Sequence, residues 1–303
     1  MLHKRLIFGA LMVAAAVGVI VLDGFLGQSS GGSGGGRLSV WSWSDWLRAG
    51  VISTAAMGLL VVLAAHEYCL LVRHGGHSPL YWPVVLGSVG LFALPIFSAF
   101  SQTGGALPGF ALAVCVVLAW MFLVKGRSSS AEATITRLGV SLLGVCYLGV
   151  MGSFAVRLRV DVGPALLLGV LLTIKACDIG AYAAGRMFGR HKMVPWLSPG
   201  KTWEGLLGGV VLSCVVGGGL VPMSFGVLGL TVWGMGFGVV FGLVLGLVGQ
   251  VGDLAESMLK RDVAAKDSGR AIPGFGGLLD ILDSPLFAVP AAWGLLKLAG
   301  YAG

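Results

Sequence analysis

Residues 250–284 read QVGDLAESMLKRDVAAKDSGRAIPGFGGLLDILDS. Ten of them are ionisable (Asp253, Glu256, Lys260, Arg261, Asp262, Lys266, Asp267, Arg270, Asp280 and Asp283), in a chain that is only 11% charged. Apolar runs enclose the stretch on both sides, Val227 to Val251 before it and Pro285 to Leu298 after it. Ionisable groups beside membrane-length apolar segments are costly and tend to mark function. The stretch therefore predicts a helical membrane protein with a polar site at the ends of its helices.

The spacing inside the stretch is informative. Asp253, Glu256, Ser257 and Lys260 stand at i, i+3, i+4 and i+7, within roughly a 100° arc of one helix face. Two carboxylates and a hydroxyl on one face are hard oxygen donors, suited to Mg²⁺ completed by water and phosphate oxygens. Pro273-Gly274-Phe275-Gly276-Gly277 is a helix-breaking turn whose glycines let backbone N–H groups approach a phosphate. Asp280 and Asp283 follow closely enough to fold back toward the first carboxylates. A solvated connecting loop is the plain alternative; the one-face clustering, the mixture of acids and bases and the glycine turn weigh against it.

Moving outward, 303 residues at 56% hydrophobic and a mean hydropathy of +0.93 place the chain among polytopic membrane proteins. Apolar runs near 1–26, 48–72, 81–100, 107–124, 138–156, 165–185, 204–222, 227–251 and 285–300 predict an all-α fold of about nine transmembrane helices. The 51 glycines suit close helix–helix contact in lipid. The first run is expected to be a retained helix rather than a cleaved signal. QSSGGSGGG at 28–36 is expected to be a flexible linker, and Trp41, Trp43 and Trp46 an interfacial belt. Two regions are expected: N-terminal helices over 1–160, and a catalytic membrane region over 161–303 that carries the 250–284 insert. The five cysteines are scattered through apolar segments and read as small buried hydrophobes.

A net charge of +7 could signal nucleic acid, but no basic run is interleaved with aromatics, so no nucleic-acid partner is expected. The cations set topology instead. With the N-terminus inside, 14 Lys and Arg fall on the cytoplasmic side and 5 on the other, with Lys175 inside a helix. This places the insert in the cytoplasm of a multi-pass protein of the cell (inner) membrane.

A second polar group lies upstream. Lys175, Asp178, Tyr182 and Arg186 share roughly an 80° arc of one helix, where Lys175 and Asp178 could equally be a structural ion pair. Gly185 to Lys192 is basic and glycine-bearing. Ser198-Pro199-Gly200-Lys201-Thr202-Trp203-Glu204 is expected to open the next helix, an anion-binding position. Its GKT is not a Walker motif, because Pro195 stands where the upstream glycine belongs and no apolar strand precedes it. His66-Glu67 carries no functional expectation.

Ser257, Leu259, Lys260, Arg261, Lys266, Asp267, Pro273, Gly274, Gly276, Gly277, Asp280 and Asp283 together resemble the signature of the phosphatidate cytidylyltransferases. Two further runs are similar to that family: Asp178, Ala181, Tyr182, Gly185, Arg186, Gly189; and Ser198, Pro199, Lys201, Thr202, Glu204, Gly205. The family's usual His and Arg are Phe275 and Ile281 here. The resemblance spans about 170–285 and implies transfer of CMP from CTP to phosphatidate, with release of pyrophosphate. It implies a metal site of Asp253, Ser257 and Asp280 holding Mg²⁺, alone or with a second cation. Catalytic roles fall to Asp253, Lys260, Asp280, Lys266 and Asp267, and substrate contacts to Lys201, Thr202, Glu204, Arg261, Asp178 and Arg186. CTP, phosphatidate and membrane lipid are the expected partners, with a homodimer left open. A CTP-using enzyme on another lipid phosphate, a polyprenol kinase and a transporter are the alternatives.

Overall fold

A computed structural model describes residues 2–29, 42–98, 100, 106–126, 134–227, 235–269 and 276–300. It is mostly helical and divides into two compact units, Met1–Val160 with Asp262–Leu279, and Asp161–Arg261 with Asp280–Gly303.

The first unit holds α1 (Leu2–Ser29), α2 (Trp43–Ala49), α3 (Val51–His74), α4 (Tyr81–Ser98), α5 (Ala106–Gly126), α6 (Thr134–Gly144), a π-helical segment Val145–Val150 and most of α7 (Met151–Val162). Leu91, Met121 and Val145 form a buried apolar cluster. Polar bonds tie the helices where apolar packing alone would let them slide: Tyr68 Oη donates to the Val140 carbonyl at 2.8 Å, and the Leu80 N–H to Ser141 Oγ at 2.8 Å. In the wide turn of the π segment, Gly149 lies against α4. A Cβ there would sit 2.8 Å from Ser88 Cα, so only glycine allows this approach. Of the expected linker, Gln28 and Ser29 are the end of α1; the remainder and Trp41 lie outside the described residues. Trp46 packs on the rings of Phe97 and Phe100.

The second unit begins with Gly163 at φ +89 and Pro164 at the first position of α8 (Pro164–Phe188), a start that Pro's fixed φ favours. It continues through β1 (Lys192–Val194), β2 (Ser198–Thr202), α9 (Trp203–Val227), α10 (Met235–Asp262) and α11 (Leu279–Leu298). Small residues let α8 and α9 meet closely: a Cβ on Gly180 would lie 2.7 Å from the Gly208 carbonyl oxygen. Ser213 Oγ donates to the Gly242 carbonyl at 2.9 Å, tying α9 to α10. Trp293 Nε1 donates to Asp161 Oδ2 at 2.9 Å and holds the far half of α11.

One part of the all-α expectation is corrected. Residues 192–202 form an antiparallel hairpin, with Lys192 opposite Thr202 and Val194 opposite Ser198. Pro195 and Pro199 bar a helix here. Glu204 accepts the backbone N–H groups of Arg190 and His191, and the Trp203 N–H donates to the His191 carbonyl at 3.0 Å, which closes the hairpin. The GKT sequence thus ends a strand rather than opening a helix, and α9 starts at Trp203.

Five helices among the described residues are long and apolar enough to cross a membrane: Val51–His74, Thr134–Val162, Pro164–Phe188, Gly236–Asp262 and Leu279–Leu298. The other expected spans are represented by shorter apolar helices, Ala14–Ser29, Tyr81–Phe97, Ala113–Lys125 and Trp203–Gly219.

The first unit also contains a buried ion pair. Arg159 Nε donates to Asp23 Oδ2 at 2.7 Å, and Ser53 Oγ donates to the same oxygen at 2.8 Å. Asp23 is fully buried, so α1 is bound to α7 by a charge that has no exit to water. Removing one partner strands the other. Arg159→Met is expected to cost about 3–5 kcal/mol, read as a lowered unfolding temperature in detergent. Asp23→Leu added to it should recover much of that loss.

Candidate active site

All the polar side chains of the site described here belong to the second unit. The lower part of α10 carries Asp253, Glu256, Ser257, Lys260 and Arg261, the first turns of α11 carry Asp280 and Asp283, mid-α8 carries Lys175 and Asp178, and β2 carries Lys201 and Thr202.

Lys260 is the hub. Its Nζ lies 2.6 Å from Glu256 Oε2 one turn back and 2.5 Å from Asp280 Oδ1 across on α11. Glu256 is fully buried and Asp280 nearly so, while the Asp253 side chain keeps 32% exposure. Asp253 is therefore the carboxylate of α10 that can meet a ligand, and Glu256 serves to fix Lys260. Lys201 reaches from the hairpin to Asp253, Nζ to Oδ2 at 2.9 Å, and Ser257 Oγ lies 3.5 Å from Asp253 Oδ1.

Lys175 makes a third bridge, 2.9 Å from Asp178 Oδ2 and 3.4 Å from the Ile281 carbonyl oxygen. That carbonyl is available because Pro285, four residues on, has no N–H to give it. Asp178, Asp283 and Asp253 all act electrostatically on the Lys175 ammonium. Gly252 makes the arrangement possible: a Cβ there would stand 2.5 Å from the Asp283 carbonyl oxygen, so α10 and α11 meet backbone to backbone beside Asp253.

The other expected site residues divide. Arg261 lies beside the cluster, its Nε donating to the Leu197 carbonyl at 3.2 Å. Thr202 is buried, and its Oγ1 accepts the Gly205 N–H at 3.1 Å as a cap of α9. Glu204 is engaged with the hairpin: the His191 ring nitrogen at 2.6 Å, then backbone N–H groups, hold its carboxyl down at about 2. Arg186 is exposed, with Nη1 donating to Tyr182 Oη at 3.0 Å. Lys266 and Asp267 are exposed on the segment after α10, which belongs to the first unit. Arg270, Pro273, Gly274 and Phe275 lie outside the described residues. Lys175, Glu256 and Asp283 were noted in the polar patterns but given no catalytic, substrate or metal role by the resemblance. The i, i+3 spacing of Lys175 and Asp178 and the i, i+4 spacing of Glu256 and Lys260 were the signals for the first two.

The donor set is chemically fit for a hard divalent cation, with the Asp253 carboxylate and Ser257 hydroxyl on adjacent turns. Among the described residues no three acidic, His or Cys side chains are grouped to hold one by themselves. Such an ion would draw its remaining ligands from phosphate oxygens and water, as Mg²⁺ commonly does. Acidic side chains (Asp178, Asp253, Glu256, Asp280, Asp283) are interleaved here with Lys175, Lys201 and Lys260, and Arg261 lies beside them.

Residues 41–299 match the family model described as "Cytidylyltransferase family". The chain belongs to this family. It is 31% identical over 253 residues to phosphatidate cytidylyltransferase of Mycobacterium bovis, covering 80% of each chain. It is 31% identical over 250 residues to that of Mycobacterium leprae, covering 78% of this chain and 77% of the relative. Against that of Staphylococcus aureus it is 39% identical over 175 residues, 58% of this chain and 63% of the relative. As a cytidylyltransferase it is a nucleotidyl-transferring enzyme, and nothing in these findings favours a transporter or a kinase.

The contact at Gly252 is open to test. Gly252→Val should drive α11 away from Asp253, at a cost of about 1–3 kcal/mol for overpacking and with a loss of turnover exceeding the loss of stability. Wild-type activity and unfolding temperature in that variant would remove the close approach as a constraint on the site.

Proposed function

We infer that this enzyme transfers the CMP group of CTP to phosphatidate, giving CDP-diacylglycerol and pyrophosphate. Family membership carries this reading, and the cluster on α10 and α11 supports it. A phosphate oxygen of phosphatidate bonds to the α-phosphorus of CTP, and the bond from that phosphorus to the bridging oxygen of the β-phosphate breaks. The nucleophile is already anionic at neutral pH, so no general base is required. The difficulty is to bring two polyanions together and to stabilise the charge passing to pyrophosphate.

Each side chain has work suited to that difficulty. Lys201, reaching from the hairpin to Asp253, and Arg261 beside it supply cations for the triphosphate. Lys260 holds Asp280 against α10 and so keeps the acidic face in one piece. Asp253 and Ser257, with Asp280, would hold Mg²⁺. Bound there, the ion supplies neutralising charge to the triphosphate and the leaving pyrophosphate. Lys175 and Asp178 fix the opening turns of α11 through the Ile281 carbonyl. Glu204 and Thr202 act one step back, by holding the hairpin that carries Lys201. We further propose that all nine long helices cross the inner membrane, α9 beyond its first turn, with the site on the cytoplasmic side where CTP is available. The cation distribution supports that orientation.

Pyrophosphate release from CTP by detergent-purified protein should require phosphatidate, and CDP-diacylglycerol should form in equal amount. Release of CDP instead would point to phosphoryl transfer and overturn the reading. Lys201→Ala should lower kcat/KM for CTP by roughly 10- to 150-fold, the worth of one charge-assisted hydrogen bond. It should leave the KM for phosphatidate little changed; an unaltered CTP dependence would remove Lys201 from the triphosphate site.

Topology has its own test. Lys192 is exposed on the hairpin, so Lys192→Cys in a cysteine-free background should react with an impermeant thiol reagent only after cells are lysed. Labelling of intact cells would place the hairpin, and the site with it, on the other face.

A further inference from the structure

Glu67 lies toward the end of α3 and is buried, and among the described residues it forms no ion pair. A buried carboxylate without a cation must be met by hydrogen-bond donors. The donor here is backbone. Glu67 Oε2 accepts the N–H of Leu279 at 3.0 Å, a buried bond spanning 212 residues of chain. Leu279 is the first residue of α11, so its N–H is one that the helix itself cannot satisfy.

The glycines of the preceding segment close around the same carboxylate. A Cβ on Gly277 would lie 2.6 Å from Glu67 Oε2 and 2.7 Å from the Gly269 nitrogen, and one on Gly269 would lie 2.9 Å from Glu67 Oε1. Gly276 turns the chain into this position at φ +97. Ser268, also buried, completes the packing against Gly277. Three positions between 269 and 279 thus meet at one carboxylate, and a side chain at either glycine would displace the backbone from it.

We propose that Glu67 is a positioning residue of the reaction: it caps α11 from α3 and fixes the Gly277–Leu279 turn, which sets how the first turn of α11 presents Asp280, the next residue in the chain. This rests on the assignment of Asp280 to the site. The negative carboxylate also lies at the positive end of the α11 dipole, which favours the capped geometry. A side chain that merely filled space in α3 would not need a charge, nor glycines facing it on two segments.

Backbone deuterium exchange and steady-state kinetics on purified Glu67→Ala and Glu67→Gln test it together. In Glu67→Ala, exchange should speed up selectively over 276–282 while α8 and α9 keep wild-type protection. The kcat should fall by roughly ten-fold or more with KM for CTP within about two-fold, since the triphosphate contacts are elsewhere. Glu67→Gln keeps one acceptor oxygen for the Leu279 N–H and should recover part of both effects, and it stands as the test if the alanine variant does not fold. Unchanged exchange over 276–282, or a uniform loss of protection with kcat intact, would overturn the proposal. The exchange measurement needs no substrate, so it decides the anchor even if the wild-type protein proved inactive on CTP and phosphatidate.

Discussion

Lys260 holds two carboxylates at once, and the candidate site is built on that bridge. One partner, Glu256, is in its own helix and wholly buried; the other, Asp280, is on α11. Taking an ion out of water costs several kcal/mol after relaxation, so a buried ammonium here needs close partners, and Glu256 and Asp280 supply them. The bridge therefore fixes the spacing of α10 and α11. Gly252 permits that spacing, because its missing side chain leaves room for the Asp283 carbonyl. With the two helices locked, Asp253 and Ser257 are left as the accessible oxygen donors of the same face.

What the sequence revealed of this arrangement was its local part. Positions 253, 256, 257 and 260 share a helix face whatever the rest of the chain does, and the structure places them on one helix with Ser257 beside Asp253 and Lys260 on Glu256. Asp280 was expected to fold back toward the carboxylates of α10; its partner there is Lys260. Lys201 was read as a cation at a helix start. It stands instead in a strand, and its reach to Asp253 depends on a hairpin that periodicity could not predict. Strands of three and five residues carry too short a pattern to register. Only the two prolines hinted that residues 192–202 were not helical.

Glu204 and Glu67 show the limit from the other side. Glu204 sits in a run similar to one of the family's, yet its oxygens are occupied by His191 and by backbone N–H groups of the hairpin. Its contribution to the site is to hold the element that carries Lys201. Glu67 had no motif around it, and its partner lies more than two hundred residues away. A carboxylate that binds backbone leaves no matching side chain to be noticed, so no spacing rule could have found it. The apolar runs, by contrast, were legible one by one because burial in lipid demands composition over length and not tertiary detail.

The lysines of the site are already paired with its acids. Were the cluster purely basic, CTP would bind without help, but the pyrophosphate product would bind as well and leave slowly. In the unliganded cluster Lys201 is held by Asp253, Lys175 by Asp178, and Lys260 by Glu256 and Asp280. On the proposed reading, an incoming triphosphate would compete with these carboxylates for the lysines. Only Lys201 and Asp253 are a pair in which one partner sits on the hairpin and the other retains solvent access. Lys201–Asp253 is thus the pair that ties the hairpin to α10, while the buried Glu256–Lys260–Asp280 bridge ties α10 to α11.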